Sequence, residues 1–249
     1  MPKKGDLTNP NNYIGIALSS IVAKTLNRMI LNRIRPAVEK ILRINQNGFR
    51  PGRSTSSHIL TLRTRNLTAV MTFVDFKKAF DTVHRGTMMA ILRAYGIPSV
   101  IVDVIRLLYT GTKAKVVTSD GQTDLFDILA GVLQGDTLAP YLFVIVIDYC
   151  MNEAIGDDEA ALGLTLVPAK SRRVKPVSIV DAEFADDIAL LSNDIRQADE
   201  LLKRVERSAK KVGLHMNESK TKVLGVNIDT SGKITTDAGN TLETVEDFV

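Results

Sequence analysis

Two adjacent carboxylates, Asp186 and Asp187, stand immediately before a run of apolar residues at positions 188–191. A second apolar run, at positions 71–74, ends at another carboxylate, Asp75. Short apolar runs of this kind predict buried strands, and charges at their ends are costly to fold around unless a cation compensates them. Carboxylates that strands bring to one point can hold Mg²⁺ against phosphate groups. The sequence therefore predicts that the three carboxylates meet at a divalent-cation site.

Length and composition predict a globular intracellular chain. With 249 residues, of which 45% are apolar, the chain can bury one or two cores. The single cysteine, Cys150, excludes a disulfide framework and a cysteine zinc site, and it suits a reducing compartment. The longest apolar stretch, residues 141–147, is far shorter than the roughly 20 residues that span a bilayer. Because no signal peptide is visible either, we expect a protein of the cytoplasm and nucleus that is not secreted and contacts no membrane.

The distribution of charge separates the first quarter of the chain from the rest. The net charge is only +4, but residues 1–65 carry twelve Lys or Arg and two acidic residues, a local charge of +10. The remaining residues carry 20 basic and 26 acidic side chains, a charge of −6. A basic region before an acidic one suggests a surface for a polyanion beside a site for cations. A solvated helix face would produce the same basic pattern, so charge alone leaves both interpretations open.

Helices are predicted over six segments, and the first and last of them show apolar residues at spacings near 3.6. The six segments are residues 18–43, 54–65, the segments on either side of 96–98, 136–152 and 195–212. Pro36 is expected to bend the first helix, and Gly213 to end the last. Asp136 is expected to cap its helix, with Pro140 in the first turn.

Short apolar runs predict strands at 71–76, 114–118 and 125–129, the last two forming a hairpin. A further hairpin is predicted with Asp186 and Asp187 at its turn. Residues 156–173 are polar and are expected to form an irregular surface excursion. From Asp75 onward this order predicts an α+β fold, in which helices pack on one face of an antiparallel sheet.

The chain resembles the reverse transcriptase domain of non-LTR (LINE-type) retrotransposons over roughly residues 10–226. Six segments in the same order carry the resemblance: 11–13, 46–55, 73–81, 131–136, 184–187 and 213–221. The resemblance implies a right-hand polymerase fold without a thumb. It places basic helical fingers at 1–68, a palm with the carboxylates at 69–226, and the truncated start of a palm-to-thumb connection at 227–249.

The same resemblance implies two-metal catalysis at the acidic residues. Asp75, Asp186 and Asp187 would bind two Mg²⁺ ions, with Mn²⁺ as an alternative, and the main-chain carbonyl of Phe76 would reach one of them. One ion would lower the pKa of the primer 3′-hydroxyl, and the other would neutralise charge on the triphosphate.

Three further residues are expected to bind the nucleotide. Phe80 matches the position of a ring beneath the sugar, where a 2′-hydroxyl would clash with it. Without the resemblance, the sequence predicts instead that Phe80 packs in the core under the sheet. Gln134 and Gly135 are expected to contact the new base pair, and Gly135 permits close approach because it lacks Cβ.

Several basic residues are candidates for phosphate contacts. Arg50 and Arg53 lie in a Gly- and Pro-rich loop and present planar donor forks to phosphate or template. Lys220 matches a position proposed to protonate the pyrophosphate leaving group. Lys222 is a second candidate for that role, and a solvated surface position is an alternative for either lysine.

Two departures from the family pattern bear on activity. Ile14 stands where the family usually has an Arg that would pair with the triphosphate, and isoleucine donates no hydrogen bond. The chain also ends near the expected start of the primer grip. We therefore expect a fragment of a longer polyprotein whose thumb and endonuclease regions are missing.

The leading interpretation is an RNA-directed DNA polymerase that uses an RNA template, a DNA primer and dNTPs. The alternative is a catalytically impaired, polymerase-derived RNA-binding domain, a degenerate copy. Ile14 favours the alternative, whereas the three intact acids argue against it. Another two-metal enzyme on a similar palm, such as a cyclase or nuclease, would not account for Gln134, Gly135 and Phe80 together.

Overall fold

The computed structural model describes residues 19–54, 68–118, 121–171, 176–228 and 232–247. Ile14 and nearly all of the helix predicted at 54–65 lie outside these ranges. The chain forms two compact units, each built from two stretches of sequence. The first unit comprises Met1–Ile41 and Phe80–Phe143, and the second comprises Leu42–Ala79 and Val144–Val249. The division into fingers, palm and connection at residues 68 and 226 stays a prediction.

A five-stranded sheet lies in the second unit. Its strands are β1 (Ala69–Val74), β8 (Asp181–Phe184), β9 (Asp187–Ser192), β10 (Lys222–Val226) and β11 (Glu243–Val245). They lie in the order β11-β10-β1-β9-β8. Every neighbouring pair is antiparallel except β10 and β11, which are parallel. The predicted antiparallel sheet is therefore confirmed for four strands, and β11 departs from it.

One face of β1 is buried, because successive residues of a strand point to opposite faces of the sheet. Val70, Thr72 and Val74 are buried, whereas Met71 and Phe73 are partly exposed. Helix α7 (Ile195–Lys211) packs against β1 and β9 and buries an apolar stripe. The stripe consists of Ala198, Leu201, Leu202, Val205 and Ala209. The predicted helix over 195–212 is confirmed.

In the described part of residues 156–173, a helix and a strand replace the irregular surface excursion predicted there, so that prediction was wrong. Helix α6 (Glu159–Leu162) leads into β6 (Leu164–Val167), which pairs with β7 (Val177–Ile179). Leu164 is buried against Ala69 and Leu191 of the large sheet. The sheet is therefore covered in part by a hairpin as well as by a helix. Alternating leucines at 162, 164 and 166 were the signal for this strand.

The first unit is mainly helical. Its helices include α1 (Ile21–Val38), α3 (Arg85–Ala94) and α4 (Ser99–Tyr109). Two pairs of short strands follow: β2 (Lys113–Ala114) pairs with β5 (Phe126–Asp127), and β3 (Val117–Thr118) pairs with β4 (Gly121–Gln122). Two helices, α2 (Ala79–Thr82) and α5 (Ala139–Ile155), contribute residues to both units. The helices on either side of residues 96–98 and the hairpin are confirmed. Helix α1 is shorter than predicted, beginning after the Ser20 cap and ending two residues past Pro36.

No helix within the described ranges combines the length and apolarity needed to cross a lipid bilayer.

Arg85 joins three parts of the first unit through its guanidinium group. Its Nε donates to the carbonyl of Gly131 at 2.9 Å, and its Nη1 donates to the carbonyls of Tyr109 and Ile128 at 2.9 and 2.7 Å. The guanidinium also lies over the Tyr109 ring, 5.1 Å from its centroid. Arg85 thereby anchors the start of the glycine-rich loop at residues 131–135.

We expect Arg85→Lys to lower the free energy of unfolding by about 1–3 kcal/mol, because an ammonium cannot reproduce this set of bonds. Urea denaturation measures the change. Arg106→Lys is the control, since Arg106 pairs with Asp103 on the exposed surface, where ion pairs contribute little. Equal losses in the two variants would contradict the anchoring role.

Candidate active site

The pairing of β1 with β9 places two of the three acids opposite each other. The last paired residues are Val74 and Ile188, so continuing the register by one residue sets Asp75 opposite Asp187. Directly opposed residues of antiparallel strands project from the same face with their Cβ atoms about 5 Å apart. Both carboxylates therefore lie on one face, at the end of the two strands.

The third acid lies in the tight turn between β8 and β9. Phe184 pairs with Asp187, which leaves Ala185 and Asp186 as the two turn residues. Ala185 has a φ of +59°, in the left-handed region that residues with a Cβ rarely adopt. We call Ala185, Asp186 and Asp187 the acidic turn.

Asp186 is partly buried and lies close enough to Asp187 and Asp75 for their charges to act on it. Burial raises the pKa of Asp186, and the charges of Asp187 and Asp75 raise it further, while a hydrogen bond from its own main-chain N–H opposes the rise. Within the described ranges no Lys or Arg forms an ion pair with any of the three. The structure thus brings Asp75, Asp186 and Asp187 together, and no cation from the described part of the chain compensates them.

Uncompensated carboxylate oxygens are the donors that Mg²⁺ prefers. Among the described residues, no group of three or more His, Cys, Asp or Glu side chains is arranged as it stands to hold a metal ion. Mg²⁺ usually keeps several waters and binds through one or two carboxylates together with substrate phosphates, so a complete protein cage is not required. The donor chemistry therefore fits this ion.

The segment at residues 215–221 holds the main chain around Asp75. The Asp75 carbonyl accepts a hydrogen bond from Asn217 N at 2.8 Å, and Asp75 N donates to Thr221 Oγ1 at 3.3 Å. Lys77 N donates to the His215 carbonyl at 2.8 Å, and Phe76 forms a β-bridge with Met216. This segment therefore fixes the position of Asp75 and Phe76, a role that the sequence analysis missed.

The predicted basic residues lie in different surroundings. Arg50 is buried, and its Nη1 donates to the carbonyls of Arg43 and Gln46, both at 2.7 Å. These bonds favour a role in holding its own loop over direct contact with phosphate. Arg53 is exposed and accessible to a polyanion.

The two candidate lysines lie in different surroundings. Lys220 is exposed. Lys222 donates to Glu243 at 2.5 Å and to the Ser219 carbonyl at 2.7 Å, so its ammonium is already engaged. A role for Lys220 in protonating a leaving group stays a prediction.

The first unit holds the residues predicted to bind the nucleotide. The half-buried ring of Phe80 stacks on Phe143, with centroids 4.4 Å apart and planes inclined by 16°. Val132 N donates to the Phe80 carbonyl at 2.7 Å, which ties the glycine-rich loop to this residue. In that loop Gln134 is half-buried and Gly135 is exposed, with a φ of +99° that favours glycine.

The predicted capping role of Asp136 was wrong. Helix α5 begins at Ala139, three residues beyond Asp136. The buried Asp136 carboxylate instead accepts a hydrogen bond from Asn27 Nδ2 at 2.6 Å and a long one from Leu138 N at 3.4 Å. Pro140 does lie in the first turn, as predicted. Asp136 therefore connects α1 to the loop, a long-range contact that local sequence does not reveal.

Comparison with known proteins identifies relatives over nearly the whole chain. Residues 1–234 match the family described as reverse transcriptase (RNA-dependent DNA polymerase). The chain is 27% identical over 242 residues to a retrovirus-related Pol polyprotein from the type-1 retrotransposable element R2 of Popillia japonica. It is 26% identical over 233 residues to the Pol polyprotein from the type-2 element R2DM of Drosophila melanogaster. These alignments cover 94% and 91% of this chain but 32% and 21% of the relatives, so the chain spans about a third or less of their length.

Solved structures with a similar fold include two from Candida tropicalis. Apo telomerase has a TM-score of 0.58 at 14% identity, covering 86% of this chain and 38% of that one. Telomerase in complex with a TWJ fragment of telomeric RNA has a TM-score of 0.57 at 15% identity, covering 86% and 34%. At such low identity the similarity shows the fold alone.

We expect Asp186→Asn to stabilise the metal-free chain at neutral pH. Because the pKa of Asp186 is raised, its contribution to stability is present at acid pH and is lost as the pH rises through that raised pKa. Asparagine removes this loss, so Tm should rise by a few degrees at neutral pH and change little at acid pH. Thermal melts with a chelator measure the effect. Asp124→Asn, at an exposed carboxylate, is the control. A lower Tm for Asp186→Asn at neutral pH would contradict the repulsion.

Proposed function

Because the chain belongs to the reverse transcriptase (RNA-dependent DNA polymerase) family, in the group found in non-LTR retrotransposons, we propose that it extends the 3′-hydroxyl of a primer with dNTPs on an RNA template. The observation that carries this proposal is the convergence of Asp75, Asp186 and Asp187, with none of the described Lys or Arg residues ion-paired to them. The proposed partners are an RNA template, a DNA primer and dNTPs. The parent is proposed to be a retrotransposon polyprotein, since the relatives are Pol polyproteins much longer than this chain.

The acidic residues are proposed to bind divalent cations, Mg²⁺ with Mn²⁺ as the alternative. Asp75, Asp186 and Asp187 would hold them through carboxylate oxygens, and Phe76 through its main-chain carbonyl. When bound, these ions supply charge neutralisation at phosphate and lower the pKa of a coordinated hydroxyl. Raised proton affinity at Asp186 supports this assignment, because a cation there relieves the same repulsion that a proton relieves.

The nucleotide is proposed to contact residues of the first unit. Phe80 would lie under the sugar, and its stacking on Phe143 limits the ring's freedom to move away from a 2′-hydroxyl. Gln134 and Gly135 would lie along the new base pair, since Gly135 is exposed and presents no Cβ. Arg53 is proposed to bind phosphate of the template and Lys220 to protonate the departing pyrophosphate; both are exposed.

We expect Asp75→Asn and Asp186→Asn each to slow nucleotide addition by about a thousandfold or more, since a lost metal ligand removes several kcal/mol of transition-state stabilisation. Single-turnover primer extension on an RNA template measures the rate. Asp103→Asn, at an exposed carboxylate of the first unit, is the control and should leave the rate unchanged. Tight, salt-sensitive RNA binding without any extension by the unmodified chain would contradict the polymerase proposal and favour an RNA-binding domain.

We expect Phe80→Val to reduce discrimination against ribonucleotides by about tenfold to a hundredfold, because steric overlap of this kind costs ~1–3 kcal/mol. The measurement is the ratio of incorporation efficiencies for dNTP and rNTP. Phe126→Val, at an exposed ring of the same unit, is the matched control. Unchanged discrimination in Phe80→Val would contradict the proposed steric role and leave a packing role against Phe143.

A further inference from the structure

The side-chain amide of Gln46 is fully buried and makes all four hydrogen bonds that an amide can make. Its Oε1 accepts from Gly48 N at 2.7 Å and from Ala185 N at 3.0 Å. Its Nε2 donates to Glu183 Oε2 at 2.7 Å and to the Ala185 carbonyl at 3.3 Å. Two of the four bonds therefore go to the main chain of a single residue, Ala185.

Ala185 is the residue of the acidic turn whose backbone needs external support. Its φ of +59° is unfavourable for alanine, and such conformations persist where surrounding contacts determine them. Gln46 binds both the N–H and the carbonyl of Ala185, so it constrains the peptide planes on either side of that residue. The plane that follows Ala185 leads directly to Asp186.

The surrounding loop is fitted closely to the acidic turn. We call residues 43–50 the bracing loop. A Cβ built on Gly48 would lie 2.2 Å from Ala185 N, closer than any side chain could approach. Asn47 N donates to the Glu183 carbonyl at 3.0 Å, and Glu183 N donates to the Asn45 carbonyl at 3.2 Å. The bracing loop thus runs beside β8 and reaches the acidic turn through Gln46 and Gly48.

A buried ionic network in turn holds the partners of Gln46. Arg43 donates from Nη1 to Glu183 Oε1 at 2.8 Å and from Nη2 to Asp181, and Asn45 Nδ2 donates to Asp181 at 3.0 Å. Glu183 is therefore oriented by Arg43 on one oxygen and receives Gln46 on the other. Successive hydrogen bonds therefore link Arg43 to Glu183, Glu183 to Gln46, and Gln46 to Ala185.

We propose that Gln46 is a positioning residue that fixes the main chain of Ala185 and thereby the direction of the Asp186 and Asp187 carboxylates. The proposal rests on the proposed function, since it assumes that these carboxylates bind the divalent cations. None of the four hydrogen bonds of Gln46 goes to Asp75, Asp186 or Asp187. Its effect reaches them through the backbone of the acidic turn.

The test uses Gln46→Met, which keeps the length of the side chain and removes all four hydrogen bonds. Binding of Mn²⁺ without nucleic acid is followed by electron paramagnetic resonance, and single-turnover primer extension gives the rate and the affinity for primer–template. We expect Mn²⁺ affinity to fall by about tenfold to a hundredfold, as is typical when the support of a metal ligand is lost. The extension rate should fall by a similar factor, with primer–template affinity unchanged.

The matched control is Asn193→Leu. Asn193 also uses a side-chain amide to hold a loop of the second unit: it accepts from Thr165 N at 2.9 Å and donates to the Gly163 carbonyl at 2.7 Å. Asn193→Leu should lower Tm while leaving Mn²⁺ affinity and extension rate unchanged. If both variants lost Mn²⁺ affinity equally, Gln46 would have only a general structural role, and the proposal would be overturned.

Gln46→Glu keeps the test valid if Gln46→Met does not fold. A protonated glutamate can still accept from the two N–H groups and donate one bond, whereas the ionised form repels Glu183 and Asp181, with Arg43 as the nearby cation. The extension rate relative to the unmodified chain should therefore fall as the pH rises from mildly acidic to alkaline. A ratio that is constant with pH would overturn the proposal.

The outcomes also separate this proposal from the proposed function. If the unmodified chain binds no Mn²⁺, or if Asp186→Asn binds it equally well, the metal assignment fails and the positioning role fails with it. If the unmodified chain binds Mn²⁺ and extends primers, and Gln46→Met does both equally well, only the role of Gln46 is overturned.

Discussion

Repulsion among Asp75, Asp186 and Asp187 is the constraint on which the site depends. The three acids share a partly buried environment with no ion-paired cation among the described residues, and this raises the pKa of Asp186. Such an arrangement opposes folding, so the surrounding structure must hold it in place. If a divalent cation binds here as proposed, it would neutralise these charges, and the repulsion would then favour the bound state.

Three separate stretches of sequence supply the support. The register of β1 with β9 sets Asp75 opposite Asp187. The segment at 215–221 binds the main chain around Asp75, and the bracing loop binds that of Ala185. Each support acts through backbone hydrogen bonds, which leaves the carboxylate oxygens free of those contacts. Because each acid is held by a different stretch of the chain, residues that are distant from the acids in sequence contribute to the same site.

Much of this arrangement was predictable from sequence, because local patterns carry it. The apolar run of β1, the 3.6-residue spacing of α7 and the apolar run after Asp187 each specify their element without reference to distant residues. The contacts that the sequence did not reveal have a common cause. The hydrogen bonds of Asp136 with Asn27 and of Gln46 with Ala185 join residues 109 and 139 positions apart, and the buried Arg50 binds the main chain of its own loop. Polar contacts of this kind leave no periodic signal in a single sequence. The β6 strand is different, since its alternating leucines were readable and were outweighed by the polar residues around them.

The interleaving of the two units has a consequence for how the chain folds during synthesis. Residues up to Ile41 belong with Phe80–Phe143, and Leu42–Ala79 belong with Val144–Val249. A ribosome must therefore deliver more than half of the chain before the first unit can close, and nearly all of it before the second can. Until then, the apolar surfaces of the early helices and of the β1 strand stay unburied. During this interval the nascent protein can bind chaperones or aggregate.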